Sequence, residues 1–258
     1  MDDCDALPFM QPEEHHWISN SDKVHENIIW FAHKNLLDPA VKVSIYRIIL
    51  KLIFTLHQNF LLNLKDHILG RLSDHDVDID YSFTDVERDS LQIVGNQLYH
   101  HGTLCVNYTT YDMRRNQDSI NPKTHPDILM LAPSSPQSWS PHPYLYGRVI
   151  GIYHVDIIHA NLSPHSQRIE FLHVWFFQVD EDFQGGFKSR RFYRLSFAEA
   201  DDAGAFGFID PARVIRGIHI IPAFAYSTTD ELLGESIARV YTDVDAAGSD
   251  WKYYYVNM

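Results

Sequence analysis

A chain of 258 residues with 45% hydrophobic and 13% aromatic side chains has apolar surface enough for one large domain, or one domain with a smaller appendage, and is expected to fold. The formal charge of −13, from 34 acidic against 21 basic residues, repels a phosphate backbone over the surface at large, which excludes whole-surface DNA binding and leaves only a local cluster of cations. The two cysteines, Cys4 and Cys105, lie about 100 residues apart with no CxxC pair, which argues against a disulfide framework or a thiolate zinc site and fits a reducing intracellular compartment.

The opening "MDDCDALPFMQPEEHH" begins with acids and lacks the basic flank and apolar run of a secretory signal. Residues 1–40 are expected as a poorly defined tail. In "VSIYRIILKLIFTLHQNFLLNL", residues 43–64, Ile45, Ile48, Ile49, Leu52, Ile53, Leu56 and Phe60 recur at three- and four-residue steps, the stripe of an amphipathic helix. Arg47, Lys51, His57, Gln58 and Asn59 interrupt the run. A buried helix is therefore expected rather than a membrane span, since a cation at mid-bilayer costs about 2.5–3.5 kcal/mol. The helix is expected to continue through "LKDHILGRL" and stop at Gly70, with Arg71 beside the negative end of its dipole. An acidic linker, "SDHDVDID", follows at 73–80, then "TDVE", where Thr84 and Glu87 have capping-box spacing for a short helix. Helical segment and linker together span 41–91.

From residue 92 to 258 the period falls to two. In "TLCVNYTTY" Leu104, Val106 and Tyr108 alternate with Cys105, Asn107 and Thr109, as in a half-buried strand. "YLYGRVIGIYHVDII", residues 144–158, repeats the pattern with Gly147 and Gly151 inside it, and glycines within a strand mark bending or close backbone approach. "RIEFLHVWFFQV", residues 168–179, is apolar on both faces and reads as a central strand, and "DEDFQGGFKSRR" as a hairpin tip turning at Gly185–Gly186. "RFYRLSF", "VIRGIHIIPAF" and "WKYYYV" are further strands, while "LAPSSPQSWSPHPY", with its prolines and serines, is a loop over about 131–143. The expected fold class is α+β, mainly β: an N-terminal helical segment, then a small antiparallel barrel or strongly bent sheet. Leu145, Val149, Tyr153, Val155, Leu172, Val174 and Phe176 are expected in one buried core, from their alternation.

The strings "VNYTTYDMRRNQDSINPKTHPDIL", "HPYLYGRVIGIYHV", "AFGFIDPARVIRGIHIIPAF" and "DWKYYYVNM" resemble an uncharacterised family of mushroom-forming fungi that accompanies large DNA transposons of the KDZ or CACTA-like kind. The part from about Tyr144 onward also resembles the domain near the C-terminus of plant CACTA-type transposases. Within it, "YGRVIGIYHV" and "FLHVWFFQVDED" resemble the core strands of bromo-adjacent homology (BAH) domains, chromatin readers with an SH3-like barrel. The resemblance implies a transposon-encoded protein whose partners are DNA, chromatin or a transposase subunit, and hence a nuclear location. Residues from Val41 to about Phe60 have no counterpart in it, and relatives run on past "YYYVNM". An inserted stretch and a fragment or decayed copy are the corresponding expectations.

Chemistry has few footholds. Asp112 and Asp118, with Arg114 and Arg115 beside them, would suit a metal-dependent nuclease. No third acid completes an Asp-Asp-Glu set, so a polar corner, with a turn at Asn121-Pro122, is the favoured reading. His154, His159, His165 and His173 are close in sequence, yet His154 and His159 fall on opposite strand faces and no HExxH appears. Signatures of the GxSxG and GxxxxGK types are absent. No metal, cofactor or catalytic residue is assigned, and the expected role is non-catalytic. "FKSRRFYR" sets Lys188, Arg190, Arg191 and Arg194 among Phe187, Phe192 and Tyr193. Cations beside stacking surfaces suit nucleic acid, single strands above all; the alternative is a charged, solvated edge that balances "DEDF" across the hairpin.

Overall fold

The computed structural model describes residues 14–19, 24–28, 60–73, 83–110, 112, 114–132, 142–160, 163–199, 202, 204–229 and 250–257. Among these residues the α-helices are α1 (Phe60–Leu72) and α2 (Asp85–Asp89). The strands are β1 (His16–Ile18), β2 (Val24–Asn27), β3 (Leu91–Ile93), β4 (Gln97–His101), β5 (Leu104–Thr109), β6 (Arg115–Ile120), β7 (Asp127–Leu131) and β8 (Tyr144–His159). They continue with β9 (Ser163–Val179), β10 (Tyr193–Phe197), β11 (Phe206–Ile209), β12 (Val214–Gly217), β13 (His219–Pro222), β14 (Thr228–Thr229), β15 (Asp250–Trp251) and β16 (Tyr254–Asn257). Most of the expected helix (41–59), acidic linker (74–80) and Pro/Ser-rich loop (133–141) lies outside the described residues. The chain is mainly β with antiparallel ladders, as its alternating segments imply. The N-terminal residues join this sheet structure, β1 pairing with β5 and β2 with β4.

The main path runs β12–β7–β8–β9–β10–β16–β13. Its two ends are halves of one stretch, Val214–Gly217 and His219–Pro222, parted only by Ile218. The first half pairs with β7 and the second with β16, so "VIRGIHIIPAF" is two strands rather than one. The Ile218 N–H donates to the Asp127 carbonyl at 2.9 Å. The two ends of the path thus meet in one continuous stretch, and the ladder curls back on itself. Every strand of the ring supplies the interior: Leu129 from β7, Tyr146 from β8, Trp175 and Phe177 from β9, Leu195 and Phe197 from β10, Tyr254 and Val256 from β16, and Ile215 and Ile220 from the shared stretch.

β8 and β9 are longer than the ring needs, and their far halves form a second layer with β3 and β4. There α1 lays Phe60, Leu64, Ile68 and Leu69 on Tyr153, Val155, Ile169 and Phe171. The helix passes through Gly70, which is buried, and ends at Leu72 rather than at the glycine, so that Arg71 reaches the Glu170 carbonyl and Asp210. The Thr84 capping box forms as its spacing implies, and Arg88 from α2 forks onto Asp66 of α1 at 2.6 and 2.7 Å.

The seven residues expected in one core fall in two. On β9 the alternation is unbroken: Leu172, Val174 and Phe176 face the outside of the ring, where they pack against Leu104, Val106 and Ile120 of the β1–β5–β6 sheet. On β8 a bulge between Val149 and Gly151 shifts the phase by one residue. Leu145 and Val149, before it, share the outer core, whereas Tyr153 and Val155, after it, join the α1 core on the opposite face. Strict alternation carried across a bulge puts every later side chain on the wrong side.

One charged pair sits inside the ring. Arg148 Nε and Nη2 donate to the two carboxylate oxygens of Asp127 at 2.7 and 3.0 Å, and the residues are only 3% and 8% exposed. The guanidinium also lies 5.3 Å from the Phe197 ring centre, 5.7 Å from Phe177 and 5.9 Å from Tyr254. Asp127→Ala strands this cation and is expected to cost about 3–5 kcal/mol. The double change to leucine at 127 and methionine at 148 is expected to recover most of that loss, and denaturant unfolding of wild type, single and double variants measures both.

Candidate ligand-binding groove

Residues 180–192 leave β9 and return to β10 as an arm. Gly186 and Arg191 pair across it, N–H to carbonyl at 2.7 and 3.3 Å, and a single 3-10 turn at Phe187–Ser189 closes the end, with the Ser189 hydroxyl donating to the Gly186 carbonyl. Gly185 and Gly186 therefore lie one step before the turn expected of them. Their task is approach: a Cβ on Gly185 would stand 2.8 Å from Tyr193 Cα and 2.9 Å from the Phe192 carbonyl oxygen, a collision with backbone that no rotamer relieves. Gly186 has φ +101, which L side chains rarely adopt.

The arm encloses a groove of about 1010 Å³ at the end of the ring where Tyr193 pairs with Val256. From the arm it is lined by Phe183, Phe187, Arg190, Arg191 and Phe192; behind them stand Tyr193, Tyr226, Tyr255, Val256 and Asn257. Phe187 is 100% exposed and Phe192 50%. Arg190 has φ 52 and ψ 39, the left-handed region. The other non-glycine residue at positive φ among the described residues is Asn96, whose side chain tolerates that conformation as arginine's does not.

The structure divides the basic cluster. Arg190, Arg191, Phe192 and Tyr193 come together in the groove, and Lys188 is exposed on the turn beside it. Arg194 is not among the residues that line the groove. Its Nε and Nη2 donate to Asp180 Oδ2 at 2.8 and 2.7 Å, and its guanidinium lies 4.4, 4.9 and 4.5 Å from the ring centres of Phe183, Tyr226 and Tyr253. Composition alone cannot tell a free arginine from a neutralised one. Phe183, Tyr226 and Tyr255 are not among the residues the sequence singles out; for Tyr255 the alternation of "YYYV", which buries Tyr254 and Val256 and turns Tyr255 out, is the available signal.

Asp112 and Asp118 do not share a site. The Thr110 hydroxyl donates to Asp112, which pairs with Arg114 Nε at 3.0 Å, on the exposed tip of the β5–β6 hairpin. Asp118 lies three residues into β6, roughly 10 Å beyond Arg115 along the strand. There it accepts the Gly217 N–H at 2.9 Å and faces Arg216, which stacks on Tyr108. Arg115 is exposed at the start of β6, opposite Thr109. This corner ties the hairpin to β12, and Asn121 bridges His125 around the turn.

The histidines are dispersed. His159 Nε2 bonds Ser90 Oγ, His165 is exposed, and His173 packs among Phe60, Phe206 and Phe208. Among the described residues no three His, Cys, Asp or Glu side chains converge as metal ligands do. His142 bonds the Tyr146 hydroxyl at 2.6 Å; burial lowers the histidine and raises the tyrosine, the reverse of what an activated phenol needs. No helix of the described residues is long and apolar enough to cross a membrane. No family model matches the chain, and neither a curated protein nor a solved structure does.

His101 and His154 form a directed pair. The Ser19 carbonyl can only accept, so His101 Nδ1–H donates to it, and His101 Nε2 then accepts from His154 Nδ1–H at 2.6 Å. Burial, then Arg168, holds His154 down from the usual 6.5 to about 4, and burial also lowers His101. Both are neutral in the fold. Unfolded histidine takes up a proton that the fold refuses, so this contribution is complete above pH 6.5 and is lost as pH falls toward 4. The melting temperature is expected to drop across that window, and His154→Gln to flatten the drop; a scan of both proteins in matched buffers checks it.

Proposed function

We propose that this chain is a non-catalytic interaction module whose groove grips a partner, within a transposon-encoded protein of the kind its motifs resemble. It positions DNA, chromatin or a partner subunit for a catalytic domain carried elsewhere, and acts in the nucleus. The mainly β, antiparallel fold supports this reading at the level of class, and an SH3-like or BAH-like barrel, which the resemblance to BAH core strands implies, is part of the proposal; fold does not by itself assign a function.

One observation carries the reading: three departures from stability meet at one groove. Phe187 is wholly in water, Phe192 half so, and Arg190 occupies a backbone conformation that glycine would hold more cheaply. Two exposed aromatic rings and an unfavourable backbone conformation gathered at one groove support a site kept for a ligand. The nuclease alternative needs Asp112 and Asp118 in one pocket, and they occupy separate places on the hairpin.

Arg190→Gly is expected to stabilise the fold by about 1 kcal/mol through relief of the left-handed strain, and Phe187→Ser to leave stability within about 0.5 kcal/mol, as exposed positions do. Equilibrium unfolding in denaturant measures both. A loss of 1 kcal/mol or more in either variant would make these residues structural and remove the case for the groove.

A further inference from the structure

We infer that the groove holds a short stretch of single-stranded nucleic acid, with Lys188, Arg190 and Arg191 on phosphates and Phe187 and Phe192 against base faces. The inference rests on reading the groove as a binding site and names its ligand.

The charges support it. Lys188, Arg190 and Arg191 are exposed and have no ion pair among the described residues, whereas Arg194 is matched by Asp180. Three free cations set beside aromatic rings complement a chain of phosphates and bases. The same charges limit length. Glu181 and Asp182 are exposed at the root of the arm, and the whole chain carries −13, so phosphates beyond the cluster meet repulsion. Duplex DNA hides its base faces and would use the cations alone, so single strands are favoured. What the groove recognises is an unstacked base on a phosphodiester strand.

Arg194 then acts as a positioning residue. Its guanidinium packs against Phe183 and Tyr226, two walls of the groove, and its fork onto Asp180 fixes where those rings stand. Lysine cannot reproduce that fork. Arg194→Lys therefore weakens binding without changing how it depends on salt, since no phosphate contact is lost.

The test is fluorescence anisotropy of the full chain with short labelled oligothymidylate, oligouridylate and duplex DNA, between about 50 and 200 mM salt. Three phosphate contacts at about −0.7 each give a log–log slope near −2, or about a 20-fold loss across that range. Arg190→Ala with Arg191→Ala is expected to bring the slope near −0.7. Phe187→Ser and Phe192→Ser are each expected to weaken binding about tenfold at unchanged slope. Preference for duplex, a slope unchanged in the double arginine variant, or no binding to any of the three probes overturns the inference. If binding is absent while Arg190→Gly still stabilises the fold, the groove stands as a site for a partner of other chemistry, such as a protein; if that gain is absent too, both readings fall.

Discussion

The Asp127–Arg148 pair is the constraint from which the barrel follows. Moving two charges out of water costs several kcal/mol per ion, which only close geometry and further partners offset. Here the fork is bidentate, three aromatic rings surround the cation, and the two residues face each other across the β7–β8 ladder. A slip of one residue would turn one charge outward and leave the other stranded among rings. The pair therefore makes β7–β8 register all-or-none, where apolar packing alone would tolerate neighbours. The Asp127 carbonyl accepts the Ile218 N–H, at the point where the strand crosses from β7 to β16, so the residue that fixes register also fixes closure.

A second constraint is the bulge on β8. Without it the long β8–β9 hairpin would have one continuous phase, and the face that lines the ring would align with a different set of side chains on the far half. By shifting phase after Val149, β8 sends Tyr153, Val155 and Ile157 to the α1 side while Ile152 stays with the outer core. One hairpin thus serves a closed ring at one end and a helix-covered layer at the other. The unbroken period of β9 supplies the common reference for both.

Much of this was legible where local chemistry is decisive. The capping box at Thr84, the central position of β9, the alternation of Leu104 and Val106, and the turn at Asn121-Pro122 follow from residue type and spacing. The bulge was half visible: Gly147 and Gly151 marked a disturbance without saying which way the phase would move. β6, "RNQDSI", was hidden because its partner β5 and the Gly217 N–H, not its own hydrophobicity, hold it in place. In the groove the arm's cations and rings were visible as a string, while its back wall was not, because Tyr226 and Tyr255 arrive from distant strands and loops. Whether an arginine is free or spent depends on a carboxylate at the opposite root of the arm, and Arg194 was therefore indistinguishable in sequence from its neighbours.

The groove and the barrel interior are built on the same residues of β16, read on opposite faces. Tyr254 turns inward to the Arg148 guanidinium, and Tyr255, next in the chain, lies opposite Arg194 in the β10–β16 ladder and meets the Phe183 ring. The two guanidiniums, one inside the ring and one on its rim, each hold aromatic rings against a carboxylate. The inner one sets where β16 lies; the outer one sets where the arm lies on it. A ligand in the groove would thus rest on a wall positioned twice over, and it would meet the exposed Phe187 and the left-handed Arg190, where the chain departs most from what stability favours.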